Sequence, residues 1–306
     1  MLIRIGRQKT KTKVVGVALS GGGVRGLAHI GVLKALLDHN IPIDMIAGTS
    51  AGSIVASLYA CGYTPRQMIN LAEKLDLSNL IDLNVTVTDL IKHSMKWFFS
   101  GKFRFWSVLP TGLIQGDKLE RFFSGLWQER TVHDTKIPLA VTAVDINSAS
   151  TVFFTTPVPG HRTILNARYY HNVLLTDAVR SSISIPGIFL PKKFRGMTLV
   201  DGAVKNNLPT DILHHMGADF IIAVDLGYAG QANYDLKSVG EILLQCIDIM
   251  GREVTLLKGE QYADVIIRPD MQGISFKSTK QALLGIKRGE EAARTQIDEI
   301  KKLLSN

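Results

Sequence analysis

Three groups of residues could carry chemistry. Gly48-Thr49-Ser50-Ala51-Gly52 is a G-x-S-x-G. A serine hydroxyl becomes a useful nucleophile when a tight turn pushes it outward and amides await the charge its attack creates. Gly48 and Gly52, two residues to either side of Ser50, permit that turn. The Ala51 amide and the positive end of a following helix would face the oxyanion. The second group is Ser20-Gly21-Gly22-Gly23-Val24-Arg25-Gly26, a glycine-rich loop leading into a helix. Its unpaired amides suit either a phosphate or the oxyanion of a tetrahedral acyl intermediate. Arg25 adds a fixed positive charge, for an anionic headgroup or for an ion pair closing the loop. The third is Asp201-Gly202-Ala203. By itself an Asp-Gly is a turn; at a strand end, the acid can approach Ser50 and accept its proton.

The elements that must position these groups read as alternating strands and helices. Met45-Ile46-Ala47 forms a short buried strand before Ser50, and Ser53 to Ala60 a helix after it. Val14 to Leu19 is a β-branched apolar run that ends at the glycine loop. Leu27, Ile30, Val32, Leu33, Leu36 and Leu37 then recur at helical spacing. Met197 to Val200 leads into Asp201, and Arg180 to Pro186 is a Ser-rich stretch closed by proline. Ile137–Val144, Phe220–Val224 and Val265–Ile267 read as further strands of a mostly parallel sheet. Asp145 to Ser150 reads as a hairpin turn, which makes the sheet mixed. Gly116 to Phe123 reads as a helix start capped by Asp117, with Glu120 three residues on. Residues 277–306 are helical in pattern, with Ile286, Ala293, Ile297, Ile300 and Leu304 near one face, for packing or dimerisation. No linker or repeat interrupts the 306 residues, so we expect one α/β domain over 1–306.

These blocks, in this order, resemble the patatin-like phospholipase family. The matching residues are the Gly21–Gly26 loop, Gly48 to Gly52, the Ser-rich segment up to Pro186, and Asp201-Gly202-Ala203. They run from about residue 14 to 209. The compact form is similar to the small bacterial branch related to the catalytic domain of neuropathy target esterase. The resemblance implies a three-layer α/β sandwich with helices on both faces of a central mixed sheet. It implies a Ser50–Asp201 dyad, with Ser50 as nucleophile and Asp201 as proton acceptor. It also implies an oxyanion hole from the amides of Gly21, Gly22, Gly23 and Ala51, with Gly26, Gly48, Gly52 and Gly202 as motif glycines. The activity implied is hydrolysis of carboxylic esters of lipids through an acyl-enzyme, without a cofactor. Phospholipase, lysophospholipase and general esterase stay open.

Other chemistries fit less well. Gly21, Gly23 and Gly26 also satisfy G-x-G-x-x-G, but dinucleotide binding expects an acid after the next strand, and Asp44 precedes it. A Ser-Asp-His triad in α/β-hydrolase order would need a histidine after Asp201. His214 and His215, the histidines that follow, sit on a helix ending at Gly217. His29 reads as packing. The remaining histidines (His39, His93, His133, His161, His171) show no metal-ligand spacing with a supporting acid, so no metal is expected.

The net charge is +8, which favours acidic partners, yet no nucleic-acid motif accompanies it. Lys92 to Trp106 combines four basic residues, no acid, and the aromatic rings of Trp97, Phe98, Phe103 and Trp106. Such a mixture suits the surface of an anionic bilayer, or an aromatic strip packed on the core or in a homo-oligomer interface. Within residues 90–116 it would form a lid or the rim of an acyl pocket. Met1 to Lys9 lacks the apolar core of a signal peptide, and Cys61 and Cys246 form no C-x-x-C. The expected place is the cytoplasm, with peripheral membrane contact. The uncharged run between Asp44 and Arg66 holds Ser50 and several glycines, which argues for a core element over a membrane span. The rival readings are a catalytically silent membrane-associated regulatory module and a nucleotide-binding α/β protein.

Overall fold

The computed structural model of the chain describes residues 13–74, 82, 112–157, 163–227, 239–272 and 279–306. The strands among them are β1 (Val15–Leu19), β2 (Met45–Thr49), β3 (Gly112–Ile114), β4 (Leu139–Asp145), β5 (Ser150–Thr155), β6 (Ala167–Tyr170), β7 (Gly187–Phe189), β8 (Lys192–Phe194), β9 (Met197–Asp201), β10 (Phe220–Val224) and β11 (Val265–Ile267). The helices are α1 (Ala28–Asp38), α2 (Ala51–Ala60), α3 (Pro65–Lys74), α4 (Asp117–Trp127), α5 (Leu175–Ser182), α6 (Thr210–Met216), α7 (Val239–Val254), α8 (Thr279–Arg294) and α9 (Ile297–Ser305).

The central strands β1, β2 and β10 are buried along their whole length, as expected of parallel strands covered on both faces. Val15, Val17 and Leu19 join Ile46, Ile222 and Val224 on one face, beneath residues of α1, α2 and α5 such as Leu33, Val55 and Val179. Ala18, Met45, Ala47, Ile221 and Ala223 line the other face against Leu208 and the α6 residues Ile212, Leu213 and Met216. Period-two alternation thus builds two cores from one sheet. Each fully buried Leu or Ile contributes about 1.5–3 kcal/mol of transfer free energy.

The main sheet runs β11-β10-β1-β2-β4-β5-β6, with β9 on β4 and β8 on β9. The pairs from β11 to β4 and the β5–β6 pair are parallel, while β4–β5, β4–β9 and β8–β9 are antiparallel. The fold is the mixed, mostly parallel sheet with helices on both faces that the sequence led us to expect. Asp145 and Ser150 face each other across the β4–β5 hairpin.

One arrangement brings the distant motifs together. β2 pairs with β4 over Leu139 to Thr142, and β9 pairs with it over Ala143 to Asp145. β5 occupies the other edge of β4, so β2 and β9 share one edge and run toward each other. Their C-terminal ends, Thr49-Ser50 and Asp201, meet.

Two details differ from or refine the sequence expectations. Helix α4 begins at Asp117, but its N-cap is Gly116 in the left-handed region, without a side-chain cap from Asp117. Asp82 supplies the carboxylate instead, accepting from the amides of Gly116, Asp117 and Lys118 at 2.8, 2.8 and 3.1 Å. A remote acid can take the place of a local cap because the orphan amides need only an acceptor. At the other end of the chain, α8 crosses α1 closely. A Cβ on Gly31 would collide with the Ile286 carbonyl oxygen, and one on Gly289 with that of Ala28. Ile286, Ala293, Ile297 and Ile300 are buried, so the C-terminal helices pack on the body of the domain.

Candidate active site

Ser50 occupies the turn between β2 and α2 with φ 53° and ψ −125°. A non-glycine residue holds such a conformation, at a cost of about 1–3 kcal/mol, when its surroundings over-determine it. Here they do. The Ser50 amide donates to Ser182 Oγ at 2.8 Å, and Ser182 Oγ donates on to the Thr142 carbonyl at 2.7 Å. The Ser50 carbonyl accepts from the Ser53 amide at 2.9 Å and from its hydroxyl at 2.6 Å. The flanking glycines are required by close approach. A Cβ on Gly48 would strike the Gly52 carbonyl, and one on Gly52 the carbonyls of Leu19 and Ser20. The turn is therefore packed directly against the end of β1.

Asp201 ends β9. Its amide donates to the Ser184 carbonyl at 2.9 Å, and its carboxylate accepts from the Ala203 amide at 2.8 Å. The Ser50 hydroxyl stands beside the carboxylate and favours its ionised form. Burial pushes the Asp201 carboxyl up to about 7, against the opposing pull of the Ser50 hydroxyl and the Ala203 amide. Desolvation penalises the ionised form, and among the described residues no cation pairs with it to compensate. Gly202 lets this turn sit on Thr142 and Thr49, where a Cβ would meet the Thr142 carbonyl.

The glycine loop leaves β1 at Ser20 and passes into a 3-10 turn over Gly23–Leu27, then α1. Its amides are not equivalent. The Gly21 amide donates to both the main-chain oxygen and Oδ1 of Asn207, at 3.2 and 3.1 Å. Gly21 was expected among the oxyanion donors, and this pairing commits its N–H elsewhere. The amides of Gly22, Gly23 and Ala51 have no such partner among the described residues. Gly26 lies against Ala51, close enough that a Cβ would press on the Ala51 side chain. Arg25 closes the loop through Nε, which donates to the Gly22 carbonyl at 3.2 Å.

Among the described residues, no histidine bonds to Ser50 or Asp201, and His93 and His161 lie outside those residues. His29 is fully buried and its Nε2 bonds the Ser20 carbonyl at 2.8 Å, so it supports the glycine loop from beneath. Burial pulls its pKa down to about 4, and the ring is neutral. His214 stacks on Tyr262 with centroids 4.7 Å apart, while His215 bonds the Asp211 carbonyl at 2.6 Å. Asp44 caps the start of β1, accepting from the Val15 amide at 2.8 Å, which removes it from the position a ribose-binding acid would need. Among the described residues no cluster of His, Cys, Asp and Glu could hold a metal ion. No described helix is long and apolar enough to cross a membrane. Trp97, Phe98, Phe103 and Trp106 lie outside the described residues.

Sequence reasoning did not single out Ser182, Thr142 or Asn207. Ser182 lay within the Ser-rich block, but nothing in its spacing marks it as the acceptor for the Ser50 amide. Asn207 carried no signal at all.

Comparison with known proteins bears on the family and the fold. Neuropathy target esterase sws of Drosophila melanogaster is 27% identical over 297 residues, 94% of this chain and 18% of that protein. Lysophospholipase NTE1 of Scheffersomyces stipitis is 30% identical over 217 residues, 71% of this chain and 12% of that protein. The chain therefore spans less than a fifth of the length of these curated relatives. Among solved structures, VipD from Legionella pneumophila superposes with a TM-score of 0.57 at 15% identity, covering 95% of this chain and 67% of that one. Human GIVD cytosolic phospholipase A2 gives 0.51 at 12% identity, covering 96% and 59%. At these identities the likeness is one of fold. Residues 17–214 match the sequence profile of the patatin-like phospholipases, a stretch that includes the glycine loop, Ser50 and Asp201, and the chain belongs to that family.

Proposed function

We propose that this chain is a serine acyl hydrolase that cleaves carboxylic esters of lipids with a Ser50–Asp201 dyad. The observation that carries the reading is the meeting of a serine in a strained turn with a buried carboxylate whose pKa is about 7. A carboxylate near pH 4 is a poor base for a serine hydroxyl. One raised toward neutrality is matched to the task. No histidine among the described residues hydrogen-bonds to either group, which favours a dyad over a triad.

In the proposed reaction, ionised Asp201 takes the Ser50 proton as Oγ attacks the acyl carbonyl carbon. The amides of Gly22, Gly23 and Ala51, at the N-terminal ends of the 3-10 turn and of α2, stabilise the oxyanion. Collapse of the tetrahedral intermediate expels the alcohol or lysolipid, which takes the proton from Asp201. Water then attacks the acyl-enzyme with Asp201 again as base, and Ser50 is regenerated. Family membership and the relatives' names, an esterase and a lysophospholipase, support a lipid acyl ester as substrate. Arg25, beside the glycine loop, is suited to an anionic headgroup. The +8 charge supports docking at an anionic bilayer, which vesicle co-sedimentation would test.

The decisive experiment is hydrolysis of a chain-length series of p-nitrophenyl esters by the wild type, Ser50→Ala and Asp201→Asn, followed by phospholipid and lysophospholipid. Loss of turnover in both variants, with folding intact, is the expected result. Wild-type turnover no greater than that of Ser50→Ala would overturn the reading in favour of a silent module. Activity surviving Asp201→Asn would overturn the dyad.

A further inference from the structure

We infer that Asn207 is a positioning residue that holds the glycine loop in register with Ser50, an inference that rests on the hydrolase reading above. Gly21 is the loop residue beside the nucleophile: a Cβ built there would lie 3.2 Å from Ser50 Cβ and 2.6 Å from Asn207 Oδ1. Its amide meets two acceptors of the same asparagine, main chain and side chain. This fixes the plane of the peptide that enters the loop, and the Gly22 and Gly23 amides follow from it.

Asn207 is itself held. It is buried, and its Nδ2 donates to Thr255 Oγ1 at 3.3 Å, while that hydroxyl donates to the Gly251 carbonyl in α7 at 2.8 Å. On its other side, the adjacent Asn206 carbonyl accepts from Thr49 Oγ1 at 2.9 Å, one residue before the nucleophile. Asn207 lies six residues after Asp201. The segment that starts at the base therefore ends at the clamp on the oxyanion loop, and one short stretch sets both relative to Ser50.

The side chain needs both of its functions: an acceptor for Gly21 and a donor for Thr255. Aspartate would keep the first, lose the second and add a charge near Asp201. Alanine would loosen the Gly21 peptide. Amides aimed in advance at the developing charge lower the barrier because they need no reorganisation during reaction. Their misplacement reads out in kcat more than in KM.

The test is saturation kinetics and a pH–rate profile of the full chain on a p-nitrophenyl ester. Ser50→Ala and wild type come first: absence of Ser50-dependent turnover overturns the function and this inference together. Given such turnover, Asn207→Ala is expected to lower kcat about 10- to 100-fold, below the loss from removing an oxyanion donor outright, with KM within about twofold. The midpoint of the acidic limb should stay where it is in the wild type. If Asn207→Ala does not fold, Thr255→Val, which removes the partner of Nδ2, should show the same pattern at a few-fold, and Thr255→Ser should restore kcat. An unchanged kcat in the folded variant, a rise in KM alone, or a displaced acidic limb would overturn the assignment, the last by making Asn207 a modulator of Asp201.

Discussion

Two buried aspartates, Asp201 and Asp225, stand at strand ends of the same sheet in opposite electrostatic settings. Asp201 closes β9 and Asp225 follows β10, and each accepts the amide of the residue two further on, Ala203 or Gly227, at 2.8 Å. Beyond that they diverge. Asp225 pairs with Arg252 at 2.8 Å and Arg268 at 3.3 Å, and its charge is compensated by two cations. Asp201 has the Ser50 hydroxyl and, among the described residues, no cation, and burial raises its pKa to about 7. The contrast teaches that burial alone does not make a base. A buried carboxylate becomes one when the fold withholds the arginine that would satisfy it.

The largest expected effect that could break this comparison is on turnover. Asp201→Asn should lower kcat by about 10²–10⁴-fold, the usual contribution of a positioned base, while Asp225→Asn should stay within about tenfold of wild type. Comparable losses in both, measured on one ester at saturation, would mean that the two sites are not functionally distinct. The pH profile sharpens the point, because kcat/KM should fall on the acid side with a midpoint near 7, as Asp201 takes up its proton. A midpoint near 4 would show that Asp201 is not desolvated in solution.

Stability should move in the opposite direction from activity. The folded-state pKa of Asp201, about 7, lies above the ordinary value of 3.8, so between those values the folded chain binds the proton that the unfolded chain releases. This contribution favours folding at low pH and is lost as pH climbs from about 4 to 7. Asp201→Asn should therefore be more stable than wild type at pH 8, by up to roughly 4 kcal/mol at about 1.4 kcal/mol per pKa unit, with the gain vanishing near pH 4. Urea melts at both pH values check it.

His29 carries the reverse dependence. Its pKa is lowered from 6.5 to about 4, so the stability of its neutral form is complete above 6.5 and is lost as pH falls toward 4, by roughly 3 kcal/mol. The two windows overlap with opposite signs. In Asp201→Asn the melts should expose the His29 slope, with stability rising from pH 4 to 6.5, and a flat profile would contradict the burial of the ring. The smallest effect is on the other aspartate. Asp225→Asn should cost about 2 kcal/mol, the worth of a charge-assisted hydrogen bond, since Arg252 and Arg268 are partly exposed and regain water.

Much of this site was legible before any coordinates. The strand into Ser50 and the helix out of it follow from an apolar run on one side and a segment with few polar groups on the other, with glycines where the chain must turn. β10 and β11 coincide with the apolar runs Phe220–Val224 and Val265–Ile267. Such local features are written in neighbouring residues. The helix cap at α4 was misread because its acceptor, Asp82, lies 34 residues from Gly116. The family resemblance grouped Gly21 with Gly22 and Gly23 as oxyanion donors, and only the contact with a distant asparagine separates its amide from theirs. The strained φ of Ser50 could be anticipated from its flanking glycines, while the Ser182–Thr142 relay that holds it could not.

By itself, the sequence determined the family and the strands and helices that flank Ser20, Ser50 and Asp201, and it singled out one serine and one acid as candidates, because those depend on local spacing and residue type. The tertiary structure alone decided that β2 and β9 meet head to head on one edge of β4, that among the described residues Asp201 is desolvated without a cation while Asp225 has two, and that Asn207 takes the Gly21 amide. Each of those depends on strand register and on side chains more than 25 residues apart in the chain. No local periodicity records such contacts, and they are settled only when the two cores close around the sheet.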